Sequence, residues 1–579
     1  MSEGSQLNQT LPTLSEGNIV TIAAKMFMAR GGTYFVASLL AHLWMYLAVF
    51  GVIIVLAIVG VITFFANNNN LPSVIGIVSV GLIFATPLIA FVWGRYLAAG
   101  GFVSRLIFNH LTHRDEPKET TREQTYPRVW AYFWSSICDG LFLAVIYGAI
   151  AAVLYVLWIS LFPLLTLLWA TLNDPRQSAF VSISLLLSSL VGILIIGLII
   201  YYFTARLWFF DTILAIEERV GPLEAVLRSW QLTRNQGFKV MTVLFIATVV
   251  TAPPVIMASL INYVVPLASI LLSVVVFPFW QAIKAVQYYD LGHRNEGLTF
   301  NLNLPPAQPR RFLQRVMLQT PESIELDFAL GGIGSRAFAW VMDQTILFLS
   351  LALLWYVGSA IYGYVLLPLL PPDTIDDWNL WTFAIASFLT FVFTNGYYIG
   401  FETFWQGQTP GKRWARIRVI QDNGQPVGLK EAAIRSLMGL IDINFFFIGV
   451  VLVTFGKSEK RLGDFAAGTL IIQDETRPGQ RQPTVQLRFG ERAQTTAQDL
   501  IQSANLNALT ADQYYILRDF LGYRTQLDAS QRKQVTVNLA TQLREIVAAP
   551  ESPAALNILD EELLEAVYLA CHQTIYKQV

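Results

Sequence analysis

The feature that most constrains this chain is a series of long apolar runs, each able to cover the ~20 residues that span a bilayer. They lie near 37–66, 72–93, 140–170, 179–205, 240–260, 262–283, 337–367 and 381–402. Because irregular backbone facing lipid would leave its amides without hydrogen-bond partners, these runs are expected to be helices. Only 14% of the 579 residues are charged, whereas soluble proteins carry about a quarter. The sequence therefore predicts an all-α polytopic membrane protein with about eight spans.

Composition and residue counts argue against several other functional classes. The formal net charge of −1 provides no basic field that would attract nucleic acid. The two cysteines, Cys138 and Cys571, cannot supply a disulfide framework or a cysteine-based metal site. The five histidines are scattered and form no arguable Ser-His-Asp or Cys-His arrangement. We therefore expect no enzyme activity, no metal, no cofactor and no nucleic-acid partner, with the lipid bilayer as the protein's environment.

Lysine and arginine are distributed unevenly among the connections between the runs. The connections rich in these residues lie near 94–128, 206–239, 284–336 and 404–435. The connections without any lie near 67–71, 259–263 and 368–380. Since basic residues are retained on the cytoplasmic side of a membrane, the long basic connections and both termini are predicted to be cytoplasmic.

The mostly apolar segment Ser436–Phe455 leaves two alternatives open. Arg435 precedes it, and Lys460 and Arg461 follow it. A short ninth span would place one of these basic flanks outside the cell. A re-entrant segment keeps both flanks inside and tolerates the polar Asp442 in the middle of the run. The re-entrant alternative is favoured.

Three pairs of an arginine and an aspartate occur in the second half of the chain. They are Arg336 with Asp343, Arg435 with Asp442, and Arg461 with Asp464. A spacing of seven residues places both members of the first two pairs on one helix face, about 10.5 Å apart. An ionised carboxylate within the hydrocarbon costs several kcal/mol, so Asp343 is expected to have a cation partner, a bound ion, water or a proton. The six residues form either a cation or proton site gated by arginines, or a set of structural ion pairs.

A small cytoplasmic sheet is predicted between these pairs. Residues 416–421 alternate in polarity and are rich in β-branched side chains, and residues 422–424 (DNG) have hairpin-turn chemistry. Residues 468–473 (GTLIIQ) form a second strand of similar length. We expect the two strands to pair and to tie Asp464 to the basic GKR segment at 411–413.

Residues ~328–475 resemble the RDD family of bacterial membrane proteins, named for one arginine and two aspartates. The resemblance implies that Arg336, Asp343 and Asp464 are the name-giving residues. GQTPGKR (407–413), with Gly411, Lys412 and Arg413, and KRLGDFAAGTLII (460–472) are its supporting motifs. The family resemblance implies a multi-pass protein of the bacterial inner membrane, and transport of ions or small solutes has been suggested for the family.

The first half of the chain has a second, more diffuse resemblance. GPLEAVLRSWQLTRNQGFKV (221–240) and AVQYYDLGHRNEG (285–297) are similar to the membrane domain attached to some bacterial glycerophosphodiester phosphodiesterases. The similarity covers about residues 15–300, which we interpret as a six-span module with an internal repeat. No phosphodiesterase catalytic domain follows, so that activity is not expected here.

A polar C-terminal tail completes the predicted organisation. Residues 475–498 contain prolines and glycines typical of a linker, and Thr510 with Gln513 forms a capping box before an amphipathic stretch. Residues 509–534 resemble soluble helices attached to some RDD proteins, which implies a protein partner, such as an AAA-type ATPase or an envelope protein, for residues 500–579. The predicted domains are 1–300, 301–475 (the RDD module) and 476–579 (the linker and a soluble helical domain).

Two functional hypotheses follow. The leading one is a non-catalytic membrane scaffold or assembly protein with a cytosolic docking tail. The alternative is an ion or small-solute transporter, similar to a cation/proton antiporter, that uses Asp343 and Asp442. An enzyme acting on lipids is a third and weaker hypothesis, which would require head-group chemistry within residues 407–464.

Overall fold

The structure is a computed structural model of the full chain. It describes residues 14–65, 71–112, 114, 116–171, 192–193, 195–265, 267–296, 313–319, 325–366, 369, 371, 375–444, 448–456, 458–474, 485, 487–525, 527, 529–547 and 558–574. The described residues are mostly helical, with two small sheets. The chain divides into two compact units, one of residues 30–244 and 273–295 and the other of the remaining residues.

The unit of residues 30–244 and 273–295 is built from long apolar helices joined by short ones. Its helices are α2 (Gly31–Phe65), α3 (Leu71–Leu111), α4 (Lys118–Thr125), α5 (Val129–Thr171), α6 (195–207), α7 (Phe210–Ile216), α8 (Pro222–Leu232) and parts of α9 (Gly237–Ile261) and α10 (Ala268–Glu296). Buried ion pairs join helices inside this unit. Lys284 Nζ lies 2.7 Å from Asp211, and Lys239 Nζ lies 2.5 Å from Asp290. Each aspartate follows two aromatic residues, Phe209-Phe210 before Asp211 and Tyr288-Tyr289 before Asp290.

The other unit contains the first helix and the second half of the chain. Its helices are α1 (Glu16–Ala29), α11 (Ile333–Ile361), α12 (Ile375–Phe404), α13 (Pro410–Trp414), α14 (Leu429–Asn444), α15 (Ile448–Phe455), α16 (Leu462–Ala467), α17 (Gly490–Ser503), α18 (Ala511–Tyr523), α19 (Ala529–Val547) and α20 (Asp560–Thr574). α1 packs on the start of α11, where Gly334 N donates to Thr21 Oγ1 at 3.1 Å. The domain boundaries predicted at 300 and 475 stay predictions, but α1 and residues 245–272 group with this unit.

Two antiparallel strand pairs lie in this unit. β3 (Ile417–Gln421) pairs with β4 (Thr469–Gln473), which confirms the sheet predicted from sequence alternation. The DNG turn after β3 has Gly424 at φ +82°, a conformation that glycine adopts without a steric penalty. The other pair, β1 (Arg315–Gln319) with β2 (Glu325–Ala329), was not predicted.

The C-terminal helices α17 to α20 surround an apolar core of their own. The buried side chains of this core include Leu500, Phe520, Leu543 and Val567. Thr510 caps α18, and its side chain accepts a hydrogen bond from Gln513 N, as the capping-box pattern predicted. These helices therefore have the packed interior expected of a soluble helical domain.

Seven helices in the described part of the chain are long and apolar enough to cross a membrane. They cover Gly31–Ile54, Lys118–Val156, Ile195–Ile216, Gly237–Ile261, Ala268–Asn295, Ile333–Leu366 and Leu380–Phe404. The run near 72–93 lies within the 41-residue α3, and much of the run near 179–205 falls outside the described residues. The polytopic helical class is confirmed, while the number of spans and the orientation of the termini stay predictions.

Candidate functional site

Asp464 is the centre of a buried ion-pair network. Its side chain is fully buried, and its two oxygens contact three guanidinium groups. Arg435 Nη1 lies 2.5 Å from Oδ1, Arg336 Nη1 lies 2.9 Å from Oδ2, and Arg461 Nε lies 3.5 Å from Oδ1. Burial acts to raise the pKa of the Asp464 carboxyl, but Arg435, Arg461 and Arg336 more than offset it and hold the pKa below its usual range. The carboxylate is therefore ionised at neutral pH.

Glu402, at the end of α12, extends the network to the GKR segment. It accepts from Arg435 Nε at 3.2 Å and from Lys412 Nζ, and its side chain is almost fully buried. Burial lowers the pKa of Lys412, and the Glu402 charge partly offsets this effect. Asp464 is thus linked to Lys412 of the GKR segment by ion pairs through Arg435 and Glu402, in addition to the predicted pairing of β3 with β4. Sequence reasoning missed Glu402, although a carboxylate ending an apolar run was a signal available for it.

Asp343 has partners different from those expected. Its carboxylate accepts hydrogen bonds from Tyr397 Oη at 2.8 Å, Thr409 Oγ1 at 2.6 Å and Gly411 N at 2.8 Å. No cationic side chain among the described residues pairs with it, and Arg336 is engaged by Asp464. A cationic side chain was one of four partners expected for Asp343; neutral donors from α12 and from the start of α13 satisfy the buried carboxylate instead, and the bound-ion, water and proton alternatives stay predictions.

Close packing around residue 411 explains why the GKR motif begins with glycine. A Cβ at Gly411 would lie 2.8 Å from Asp343 Cγ and would also overlap the Ala339 carbonyl. Glycine therefore lets the α13 backbone approach close enough to donate to Asp343. Of the other two motif residues, Lys412 is buried against Glu402, whereas Arg413 is exposed with its guanidinium 5.5 Å from the centre of the Trp405 ring.

Asp442 and the ends of the segment Ser436–Phe455 lie near the same site. Asp442 Oδ2 accepts from Gly463 N at 3.2 Å and lies 4.0 Å from Arg461 Nε. Arg435 precedes the segment and Arg461 follows it, yet both contact Asp464. One straight span would separate such flanks by about 30 Å. The geometry favours the re-entrant alternative, with α14 and α15 as the two arms of the segment.

A chamber of about 590 Å³ lies among these groups. Glu402 lines it, as do six of the predicted site residues: Arg336, Asp343, Lys412, Arg435, Asp442 and Arg461. Asp464, Gly411 and Arg413 do not line it. Helix α9 contributes apolar lining only, from Val249, Val250, Ala252, Pro253 and Ile256. The volume falls within the roughly 300–1,000 Å³ of known small-molecule sites. The described residues contain no group of three His, Cys, Asp or Glu side chains placed to hold a metal ion.

Comparison with known proteins identifies one part of the chain. Residues 330–468 match the sequence model of the RDD family, which confirms the predicted RDD domain. No curated protein and no solved structure matches the chain. The resemblance of residues 15–300 to the membrane domain of phosphodiesterases is not supported by these comparisons. The RDD domain and the long apolar helices together identify a membrane protein.

Proposed function

We propose that this membrane protein is a transporter for a small solute or ion, and that the chamber of the RDD domain is its binding site. The observation that carries the proposal is the chamber itself. A cavity of about 590 Å³, lined by buried charged residues and by apolar α9 side chains, has the features of a binding site. Ionisable residues on membrane helices generally mark substrate or ion pathways.

Asp442 is a better candidate than Asp343 for direct contact with a solute. All three donors to Asp343 are fixed within the fold, and both of its oxygens are occupied. Asp442 Oδ1 is buried and has no hydrogen-bond partner among the described residues. We therefore assign Asp343 the role of anchoring α13, and Asp442 the role of a polar contact in the chamber.

Filling the chamber with a large side chain tests the proposal. Gly439 lines the chamber, and a Cβ added there would meet no atom within 4 Å. We expect wild-type protein in proteoliposomes to exchange Na⁺ for H⁺ or to take up small carboxylates. Gly439→Phe should lose this flux, because the ring occupies the space of the solute.

Gly358→Phe is the matched control for this experiment. Gly358 also lies in a helix with open space around its Cβ, but it does not line the chamber. The control should transport as wild type does. Absence of flux for every tested ion and carboxylate, or equal flux in Gly439→Phe and wild type, would refute chamber-mediated transport.

The separate core of α17 to α20 favours a second candidate function. A helical domain with its own packed interior, attached to a membrane domain, suits a non-catalytic scaffold that docks a protein partner through residues 500–579. An AAA-type ATPase or an envelope protein of the bacterial inner membrane would be such a partner. Both candidates retain the predicted cytoplasmic location of the two termini.

Deleting the tail separates the two candidates. A chain ending at residue 475 should keep solute flux if it is a transporter and should lose co-purifying proteins if the tail docks them. Asp442→Asn provides the opposite test, because a transporter that uses Asp442 as a solute contact should lose flux, whereas a scaffold should tolerate the change wherever the chain still folds. Retained flux without the tail would leave transport as the main function, whereas loss of a specific partner with no flux in either form would favour the scaffold.

A further inference from the structure

The walls of the chamber in the RDD domain differ in chemistry. Helix α9 contributes only apolar side chains, and Trp340 and Ala337 of α11 add apolar surface. Helices α11, α14 and the residues before α16 contribute the guanidinium groups of Arg336, Arg435 and Arg461. A ligand that fills this space must therefore present both an apolar part and a polar part.

Unsatisfied donors outnumber unsatisfied acceptors around the chamber. Arg336 Nη2, Arg435 Nη2 and Arg461 Nε are buried and have no hydrogen-bond partner among the described residues. Among the described residues that line the chamber, Asp442 Oδ1 is the one acceptor atom that is also buried without a hydrogen-bond partner. A buried charged donor without a hydrogen-bond partner destabilises the structure. A ligand with acceptor oxygens would satisfy the three arginine donors.

The chamber lining contains charged side chains of both signs. The cationic side chains are Arg336, Lys412, Arg435 and Arg461, and the carboxylates are Asp343, Glu402 and Asp442. Asp464, which holds three of the arginines, does not itself line the chamber. Together with Asp464 the cluster has four cations and four carboxylates and is neutral, so the unpartnered arginine donors, and not a net charge, favour an acidic group in the ligand.

We propose that the chamber binds an anionic amphiphile, a molecule with one carboxylate or phosphate group on a hydrocarbon chain. The acidic group contacts Arg336, Arg435 and Arg461, and the hydrocarbon lies along α9. This inference deepens the proposed function by naming the chemical class of the solute. A free long-chain acid and an anionic membrane phospholipid both have this chemistry.

Binding of radiolabelled laurate to the purified full chain in a neutral detergent tests the proposal. We expect saturable binding of laurate, with unlabelled laurate displacing the label. Dodecanol and dodecyltrimethylammonium share the twelve-carbon chain but lack the acid, so they should displace it poorly. Equal displacement by all three compounds would overturn the proposal, because it would show that only the hydrocarbon is recognised.

Variants of the chain locate the binding site. Gly439→Phe should abolish laurate binding, while Gly358→Phe should retain it. Arg461 is the most exposed of the three arginines, with 28% of its side chain accessible, so Arg461→Gln is the substitution least disruptive to the fold. It should weaken laurate binding about tenfold, as expected for loss of a charge-assisted hydrogen bond. Wild-type affinity in Gly439→Phe would place the bound laurate elsewhere and refute the proposal.

Mass spectrometry of the purified protein distinguishes the two sources of the ligand. Phosphatidylglycerol retained in preference to phosphatidylcholine, and released by laurate, would identify a membrane lipid as the occupant. Laurate binding without retained phospholipid would identify a free acid. Both results support an anionic amphiphile.

The outcome is separable from that of the transport experiment. Saturable laurate binding with no flux of any solute would refute the transporter and leave the amphiphile site in place. Flux that Gly439→Phe abolishes, in a protein that does not bind laurate or retain anionic phospholipid, would refute the amphiphile and leave the transporter.

Discussion

The RDD domain and the C-terminal helical domain have different interiors. In the RDD domain the most buried groups include Arg435, Asp464 and Glu402, and a chamber lies beside them. In the C-terminal domain the core is apolar and includes Phe520 and Leu543, both fully buried. Apolar packing stabilises a fold without directional requirements, whereas buried charges stabilise it only when every partner is in place. The charged interior is therefore suited to recognising a ligand, and the apolar interior to holding a compact domain.

The C-terminal domain also has a buried ion pair, but its carboxylate caps a helix and is not part of a chamber. Arg524 Nη2 lies 2.6 Å from Glu565, whose carboxylate also accepts from Arg488 N and Phe489 N at the start of α17. This carboxylate closes the domain by capping a helix start. In the RDD domain the charges themselves connect α11, α12, α14 and α16.

The largest expected effect comes from removing the central cation of the RDD domain. Arg435→Met leaves Asp464 and Glu402 short of a partner and should destabilise the fold by about 3–5 kcal/mol. The midpoint of thermal unfolding in detergent measures this loss. Arg413→Met is the control, because Arg413 is exposed. If Arg435→Met and wild type unfold at the same temperature, the buried charges do not stabilise the RDD domain.

Truncating the apolar core should have a similar effect on the other domain. Phe520→Ala creates a cavity in the C-terminal domain and should cost about 3–5 kcal/mol. Hydrogen exchange should rise in α18 to α20 and stay unchanged in α11 and α14. Val537→Ala is the control, since Val537 is 41% exposed. Increased exchange in the RDD helices would show that the two interiors are not independent.

A smaller effect is expected at Asp343. Asp343→Asn replaces one carboxylate oxygen by an NH2 group, which cannot accept, so the hydrogen bonds from Tyr397 and Gly411 or the one from Thr409 are lost, at a cost of about 1–3 kcal/mol. Faster hydrogen exchange in α13 measures the loss. The same change at Asp422, which is half exposed, should leave exchange in α13 unchanged. Unchanged exchange in Asp343→Asn would mean that the carboxylate does not anchor α13.

The smallest effect is expected for an exposed ion pair outside both interiors. Arg315 Nε lies 2.7 Å from Asp327 across β1 and β2, with both side chains over a third exposed. Arg315→Ala should change the free energy of unfolding by at most about 1 kcal/mol, because water screens the pair. A loss as large as that of Arg435→Met would contradict the distinction between buried and exposed charges.

Local patterns in the sequence predicted several elements correctly. Alternation and the DNG turn predicted that β3 pairs with β4, and Thr510 with Gln513 predicted the start of α18. Three separated motifs predicted an RDD domain at about residues 328–475, and the family match covers 330–468. These features depend on neighbouring residues, so they can be inferred without knowing the rest of the fold. The pair β1–β2 was missed, although residues 325–329 (ELDFA) alternate polar and apolar side chains as a strand does.

The sequence by itself determined the membrane class, since apolar runs of sufficient length have no other stable environment. It also indicated six charged residues of the RDD domain as a cluster, because they recur as arginine–aspartate pairs in or beside apolar runs, but it did not indicate Glu402. Only the tertiary structure decided how they pair. Asp343 accepts hydrogen bonds from Tyr397, Thr409 and Gly411 and has no cationic partner among the described residues. Asp464 forms ion pairs with three arginines from separate segments. A buried charge accepts whichever donors the packed helices bring within about 3 Å, and spacing along one helix cannot show which segments those are.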